Sequence, residues 1–436
     1  MYHTCLPSDH HVTIESMAGV IVVLLTVSIS LAYAALPPFP PQGAHSFGIN
    51  IHYRGHPPAG ALQMLRETGV HWIRMDFAWD VIETTKGQFN FSLYDELSAD
   101  LAEYNLSAIY ILDYGNPLYD GGLPPHSDKG RIAFSNFAAA AVKHFSRGPI
   151  NILWEMWNEP NGGFWKPTAN VTQYIQLAVD VGKAVKNADR SASYVGPATA
   201  GMDWIFLKAC FEAGLLDYWD AVTVHPYRNN PPEDATADLQ MLHEMIHNYT
   251  NRSVLAISSE WGYSARYPHY DVTRQSKVLP RMWLNNMLNN MSLSIWYDWV
   301  NDGTNQTYTE HHFGTVYNTY YAGRNPVFEP KPTYLAAQTF NKILDGCTVK
   351  HVFNTARDYL HVVQFYCSSA SEGPVVVWCS DDSQIPCLIH VQLATSVICY
   401  SQVNYVGQNL PQLCTDKQGL LIVATDNAPL YLVPSH

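Results

Sequence analysis

The chain has 436 residues, of which 47% are hydrophobic and 14% charged. It can therefore bury a large core and is not a disordered chain. Its formal net charge of -13 argues against a nucleic-acid partner, since polyanions are bound through basic surfaces that displace counterions.

The first landmark is an apolar run from Met17 to Ala35 that ends in Ala32-Tyr33-Ala34. This A-x-A ending reads as a cleaved secretory signal, although the run is also long enough for an uncleaved membrane anchor. The segment before it carries no Lys or Arg, and Met17 offers a second start. Residues 1–35 are thus expected to be a signal peptide or anchor, the latter being the only expected link to a membrane. A Pro-rich linker follows over 36–44, containing Pro37-Pro38-Phe39-Pro40-Pro41, which is stiff and cannot continue a helix.

From His45, short apolar runs alternate with helical-period segments, the pattern of repeated βα units around a parallel sheet. The expected strands are Phe47–His52, Trp72–Phe77, Ala108–Asp113, Asn151–Trp157, Ser193–Pro197, Ala221–His225, Val254–Ser258 and Leu293–Trp299. Several lack alternation, as strands buried on both faces do. Between them, Phe134, Phe137, Ala141, Phe145 and Tyr174, Leu177, Ala178, Val181, Val185 are spaced as helix faces. Eight such units predict an α/β fold, a (β/α)8 TIM barrel over 45–345, whose last helix runs Pro332–Leu344. Glycine-rich phosphate loops are absent, which disfavours a nucleotide-binding open sheet.

Beyond Gly346, runs at Tyr359–Tyr366, Val375–Trp378, Leu388–Leu393, Leu420–Val423 and Leu430–Val433 read as strands. Residues 346–436 are therefore expected to form a small β-sandwich-like module. Six of the eight cysteines fall here, at 347, 367, 379, 387, 399 and 414. In an exported chain they predict disulfides, in an order that spacing does not reveal. N-x-S/T sequons at Asn90, Asn105, Asn170, Asn248, Asn251, Asn290 and Asn305 also fit export. No metal site is expected, because no C-x-x-C pair occurs and His311-His312 lacks ligand spacing.

The chemistry concentrates where barrel strands end, because active sites of this architecture lie on the C-terminal rim. Trp154-Glu155-Met156-Trp157-Asn158-Glu159-Pro160 closes the fourth strand, and Val254-Leu255-Ala256-Ile257-Ser258-Ser259-Glu260-Trp261 the seventh. A polar Asn-Glu pair ending an apolar strand has little structural reason to be there. Two carboxyl groups are what glycosidic cleavage requires.

With Arg74 on the second strand and Val224-His225-Pro226-Tyr227 on the sixth, this pattern resembles clan A of the glycoside hydrolases. The resemblance covers about residues 45–345 and is strongest to family 39 and family 5 type enzymes. Also supporting it are Trp296-Tyr297-Asp298-Trp299-Val300-Asn301-Asp302-Gly303, His312-Phe313-Gly314, Pro330-Lys331-Pro332-Thr333-Tyr334 and Trp79-Asp80-Val81-Ile82-Glu83.

The resemblance implies a retaining β-glycosidase with a carbohydrate substrate and no cofactor. Glu159 would be the acid/base and Glu260 the nucleophile, about 5 to 5.5 Å apart. Arg74 and Tyr227 would contact the nucleophile, His225 the sugar or the acid/base, and Asn158 the sugar 2-hydroxyl. Trp296, or failing that Trp299, would floor the subsite of the cleaved residue. Trp79, His52, Asn50 and Trp165 are further expected cleft residues. Repulsion between the carboxylates is expected to keep Glu159 protonated. The rival reading is a catalytically silent carbohydrate-binding or structural surface glycoprotein on the same barrel, since fold alone never proves activity. Sugar identity, endo or exo action and oligomeric state lie beyond the motifs.

Overall fold

The computed structural model describes Phe39 and residues 45–368, 372–381 and 386–435. The expected signal or anchor, and all of the linker except Phe39, lie outside them. Among the described residues no helix is long and apolar enough to cross a membrane.

Eight parallel strands close into a barrel in chain order: β1 (Phe47–Asn50), β2 (Trp72–Ala78), β3 (Ser107–Asp113), β4 (Ile152–Met156), β5 (Ser193–Ala200), β6 (Ala221–His225), β7 (Leu255–Trp261) and β8 (Leu293–Trp296). β8 pairs with β1 to complete the ring. The lower interior is an apolar plug that includes Trp72, Ile109, Leu153, Val195, Ala221, Ile257, Leu293 and Ile295. Strand side chains alternate between faces, so positions two and four residues further along point into the barrel mouth. There the plug gives way to polar groups such as Arg74, Glu155 and His225, all buried.

Outside lie α1 (Ala61–Glu67), the single turn α2 (Trp79–Ile82), α3 (Ser92–Glu103), α4 (Asp128–Phe145), α5 (Val171–Ala188), α6 (Trp204–Glu212), α7 (Thr236–Tyr249), α8 (Val272–Leu288) and α9 (Pro332–Leu344). The expected stripes are buried: Phe134, Phe137, Ala141 and Phe145 on α4, and Tyr174, Leu177, Ala178, Val181 and Val185 on α5. Ser127, Asn170, Asp203 and Asp271 begin α4, α5, α6 and α8 by accepting a hydrogen bond from a backbone N–H three residues on, satisfying a donor the helix leaves unpaired.

Several strand ends differ from the sequence reading, β1 stopping at Asn50 and β5 running on to Ala200 among them, and three of these bear on the site. β4 stops at Met156 because Trp157 has a left-handed φ of 66°, a region bulky residues rarely adopt. β8 stops at Trp296 rather than Trp299, before the Tyr297-Asp298 bond. β7 runs on to Trp261, with a register shift against β8 between Ser258 and Trp261; such irregularities re-aim a side chain, and Glu260 lies within this one. The long connection after β8 also carries an unexpected hairpin, β9 (Val316–Tyr320) with β10 (Phe328–Pro330).

The C-terminal residues form β11 (Cys347–Val352), β12 (Leu360–Cys367), β13 (Val375–Cys379), β14 (Cys387–Gln392), β15 (Cys399–Val403), β16 (Asn409–Cys414), β17 (Leu420–Thr425) and β18 (Leu430–Pro434). Six make a sheet in the order β11-β12-β13-β18-β15-β16, and β14 pairs with β17. Val362, Val375, Val377 and Leu432 of the first sheet pack against Ile389, Val391, Leu421 and Val423 of the second, a sandwich-like arrangement. β11, β15 and β16 are absent from the sequence reading because they are polar or mostly exposed; Pro411 lies in β16, an edge strand. Disulfides join Cys347 to Cys367, Cys379 to Cys387 and Cys399 to Cys414. The sandwich is tied to the barrel helices by Arg281 Nη1 on Asn427 O, by the Trp378 Nε1 donor to Glu233, and by Lys277 on Asp426.

Candidate active site

The site is organised around one buried cation. Arg74 enters the barrel mouth from β2. Its Nε donates to Glu155 Oε2 at 2.6 Å and its Nη1 to Glu260 Oε2 at 2.6 Å. Nη1 also reaches Asn50 Oδ1 at 3.3 Å, while Nη2 donates to Asn158 Oδ1 at 2.8 Å and lies 3.3 Å from His225 Nε2. Burial opposes the charge of Arg74, but Glu155 and Glu260 outweigh it and hold the group firmly cationic.

Hydrogen-bond chemistry then assigns the neighbouring protons. A guanidinium only donates, so His225 Nε2 accepts and the proton of the neutral ring resides on Nδ1. That nitrogen lies 3.0 Å from Glu159 Oε1 and donates to it. Tyr227 Oη donates to Glu260 Oε1 at 2.8 Å. Burial, reinforced by the charge of Glu260, drives the Tyr227 pKa well up and keeps it a donor. Both Glu260 oxygens therefore have partners, which leaves little reason for a metal among Glu159, His225 and Glu260. These three converge closely: one ligand atom of each lies within 4.8 Å of the other two. Glu159 itself is held by a left-handed φ of 45° and by its backbone N–H, which donates to Ala198 O at 2.9 Å.

The expectation that Glu159 is protonated in the free site is corrected. Burial raises its pKa, but the hydrogen bond from His225, with the charge of Arg74, brings it below the usual carboxylate range. Arg74 binds Glu260 directly and so absorbs the negative charge that was to push Glu159 up.

Among the tryptophans, the expected assignments meet a packing fact. Trp296 is 0% exposed and Trp299 1%, so neither ring offers a free face to the cleft. Trp296 stacks near Tyr263, and Trp299 packs against Phe328 and Tyr334. Trp79 is equally buried, stacked on Tyr119 with its Nε1 donating to Glu83 Oε2 at 2.6 Å, and Trp165 is buried against Trp157 and Tyr174. The aromatic ring that reaches the mouth from this strand is Tyr297. It is partly exposed, its phenol pKa is raised by burial, Asp298 and Glu260, and its ring lies 5.4 Å from Phe313.

His52, half exposed on the same rim, pairs with Asp298 at 3.2 Å. Burial disfavours its cation, but Asp298, Asp302 and Asp76 lift its pKa to about 9. Asp298 is fully buried, and that burial raises its own pKa against the pull of His52. Asp113, fully buried at the end of β3, is raised well above the carboxylate range by burial and by the charge of nearby Asp76. Glu155, Asp76, Asp113, Asp298 and Tyr297 were missed in the sequence. The two-residue period of β2 and β4 was the available signal, since Asp76 follows Arg74 at that spacing and Glu155 follows Leu153.

No protein-family profile matches the chain. A β-xylosidase of Geobacillus stearothermophilus is 33% identical over 128 residues, 27% of this chain and 24% of its own length. The chain thus matches about a quarter of that relative. Among solved structures, a family 39 glycoside hydrolase from the gut symbiont Bacteroides cellulosilyticus WH2 is similar with a TM-score of 0.75 and 22% identity, over 90% of this chain and 81% of its own. A monomeric β-xylosidase from Caulobacter crescentus CB15 is similar with a TM-score of 0.64 and 17% identity, over 91% of this chain and 98% of its own. The expected fold is therefore present: a (β/α)8 barrel with a C-terminal sheet module, as in family 39 glycoside hydrolases.

Proposed function

We propose that this protein is a retaining β-glycoside hydrolase, with Glu159 as acid/base and Glu260 as nucleophile. The observation that carries the proposal is the approach of the two carboxyl groups, whose oxygens come within 4.8 Å. Double displacement uses carboxyl groups about 5 to 5.5 Å apart, whereas inversion needs about 6.5 to 9.5 Å to admit a water.

In the first step Glu260 attacks the anomeric carbon. The bond to the leaving oxygen breaks, and that oxygen takes the proton of Glu159. In the second step Glu159 removes a proton from water, the water oxygen bonds to the anomeric carbon, and Glu260 is released. Arg74 and Tyr227 orient the Glu260 oxygens. His225 and Arg74 favour ionised Glu159 in the free site, which suits its later role as base; as acid, it gains its proton at low pH or when bound sugar excludes water. With Asn158 Oδ1 turned to Arg74, the amide N–H groups serve the 2-hydroxyl, an interaction that strengthens in the transition state. Tyr297 supplies the apolar platform.

The xylosidases among the similar proteins make an aryl β-xyloside the first substrate to assay, within a panel of β-linked aryl glycosides. Wild type should turn over at least one of them, and Glu159→Gln and Glu260→Gln should not. Equal rates for wild type and both variants across the panel would reject catalysis. A 2-deoxy-2-fluoro glycoside should label Glu260, and NMR of the first product should give the retained anomer.

Export is part of the same proposal. All seven sequon asparagines are exposed, and the three disulfides suit an oxidising compartment. Peptide-N-glycosidase treatment of the secreted protein should convert occupied asparagines to aspartates detectable by mass.

A further inference from the structure

At the opposite end of the barrel three side chains from distant parts of the chain converge. His45 precedes β1, His71 precedes β2, and Asp345 follows α9. His45 Nδ1 and His71 Nε2 are 2.6 Å apart. Asp345 Oδ1 lies 3.4 Å from the first nitrogen and 3.7 Å from the second.

Two ring nitrogens at this distance need something electropositive between their lone pairs, either a proton or a cation. The carboxylate bears on the choice. It pairs closely with neither nitrogen, standing beyond ideal hydrogen-bond distance from both and nearly equidistant. That arrangement faces a common central point. Zinc bonds of about 2.0 to 2.2 Å at tetrahedral angles place ligand atoms about 3.3 Å apart. The two nitrogen–oxygen separations are already near that value. Only the nitrogen–nitrogen contact is short, and His45, half exposed, has room to rotate and open it.

The other two ligands are pre-positioned. The His71 backbone bonds to Phe47 O and accepts from Ser107 N–H, locking it between the first three strands. The Asp345 N–H donates to Asn341 O at the end of α9. With Asp345 45% exposed, solvent can complete the coordination.

We propose that His45, His71 and Asp345 form a binding site for one divalent transition-metal ion, zinc fitting two imidazoles and a carboxylate best. The site joins the point where the chain enters the barrel to the point where it leaves for the sandwich. It lies on the N-terminal face, where barrels carry stability rather than chemistry. The ion is therefore a structural clip, independent of the glycosidase reading.

The test uses the full secreted chain, stripped with a chelator and titrated with zinc chloride by calorimetry, with cobalt(II) absorption reporting geometry. One ion per chain should bind and raise Tm by a few degrees. His71→Ala and Asp345→Asn should each weaken binding about tenfold or more, without changing aryl-glycoside turnover. Should His71→Ala not fold, His45→Ala, at a half-exposed position, carries the test. Absence of binding at about 100 µM zinc would overturn the proposal, leaving a proton-bridged cluster. Binding that survives these substitutions and inhibits turnover would also overturn it, placing the ion at Glu159, His225 and Glu260 instead.

Discussion

Replacing Arg74 separates what the buried cation does for the fold from what it does for Glu260. Arg74→Gln leaves the carboxylates of Glu155 and Glu260, each 2.6 Å from the lost guanidinium, without their counter-charge. Removing one partner of a buried ion pair costs about 3 to 5 kcal/mol. With an unfolding entropy of about 2.1 cal/mol/K per residue, a body of nearly 400 residues should lose about 4 to 6 °C in Tm. Turnover should fall further, because Glu260, Asn158 and the His225 tautomer all lose their orienting donor. A decrease in kcat/KM of about 10²- to 10³-fold, some 3 to 4 kcal/mol of transition-state stabilisation, is expected. The double variant Arg74→Gln/Glu155→Gln removes the more deeply buried carboxylate as well. It should recover most of the Tm but little of the activity, since Glu155 touches only the guanidinium whereas Glu260 is the proposed attacking group. Thermal unfolding and steady-state kinetics on an aryl glycoside are the two readouts. If the double variant regains activity along with stability, Arg74 acts only through folding and the assignment of Glu260 loses its main support.

The pH profile depends on His225. Glu159 sits below the carboxylate range because His225 donates to it, so kcat/KM should fall as pH rises while still on the acidic side of neutrality. His225→Phe keeps the burial and removes the donor, so this limb should move to higher pH at reduced activity; a limb that stays put would refute the hydrogen-bond account. Asp113 gives a stability test of opposite sign from an ordinary ion-paired carboxylate. Its folded pKa is raised by burial and Asp76, so it stabilises fully below the unfolded value of about 3.9, and that contribution is lost as pH climbs towards the folded pKa. Asp113→Asn should flatten this decline and raise Tm at neutral pH, as followed by thermal melts across pH. Finally, Tyr297→Ala should cut kcat/KM with little change in Tm, whereas Trp296→Ala should destabilise by about 3 to 5 kcal/mol through a core cavity; the reverse pattern would restore Trp296 to the cleft.

Much of the barrel was readable in the sequence because its signals are local. Strand runs, the α4 and α5 stripes and Pro332 at the start of α9 each depend on residues a few positions apart. Strand ends were less legible, since Trp157 and Tyr297 continue an apolar pattern after the ladder has stopped. The sequence therefore pointed to Trp296 and Trp299, which the surrounding elements bury, and not to the partly exposed Tyr297 proposed as the platform.

The sequence by itself determined the order of the eight βα units and the placement of Asn158-Glu159, Glu260, Arg74 and His225-Pro226-Tyr227 on the rim strands. Strand order and chain direction decide which residues reach the C-terminal face. Tertiary structure alone decided which of them touch: the sharing of Arg74 between Glu155 and Glu260, the bonds of His225 and Tyr227 to the two glutamates, the disulfide partners, and the meeting of His45, His71 and Asp345. Each depends on side chains from separate elements being brought within a few ångströms. At that range Coulomb and desolvation energies change by kilocalories per mole, and local patterns along the chain carry no record of it.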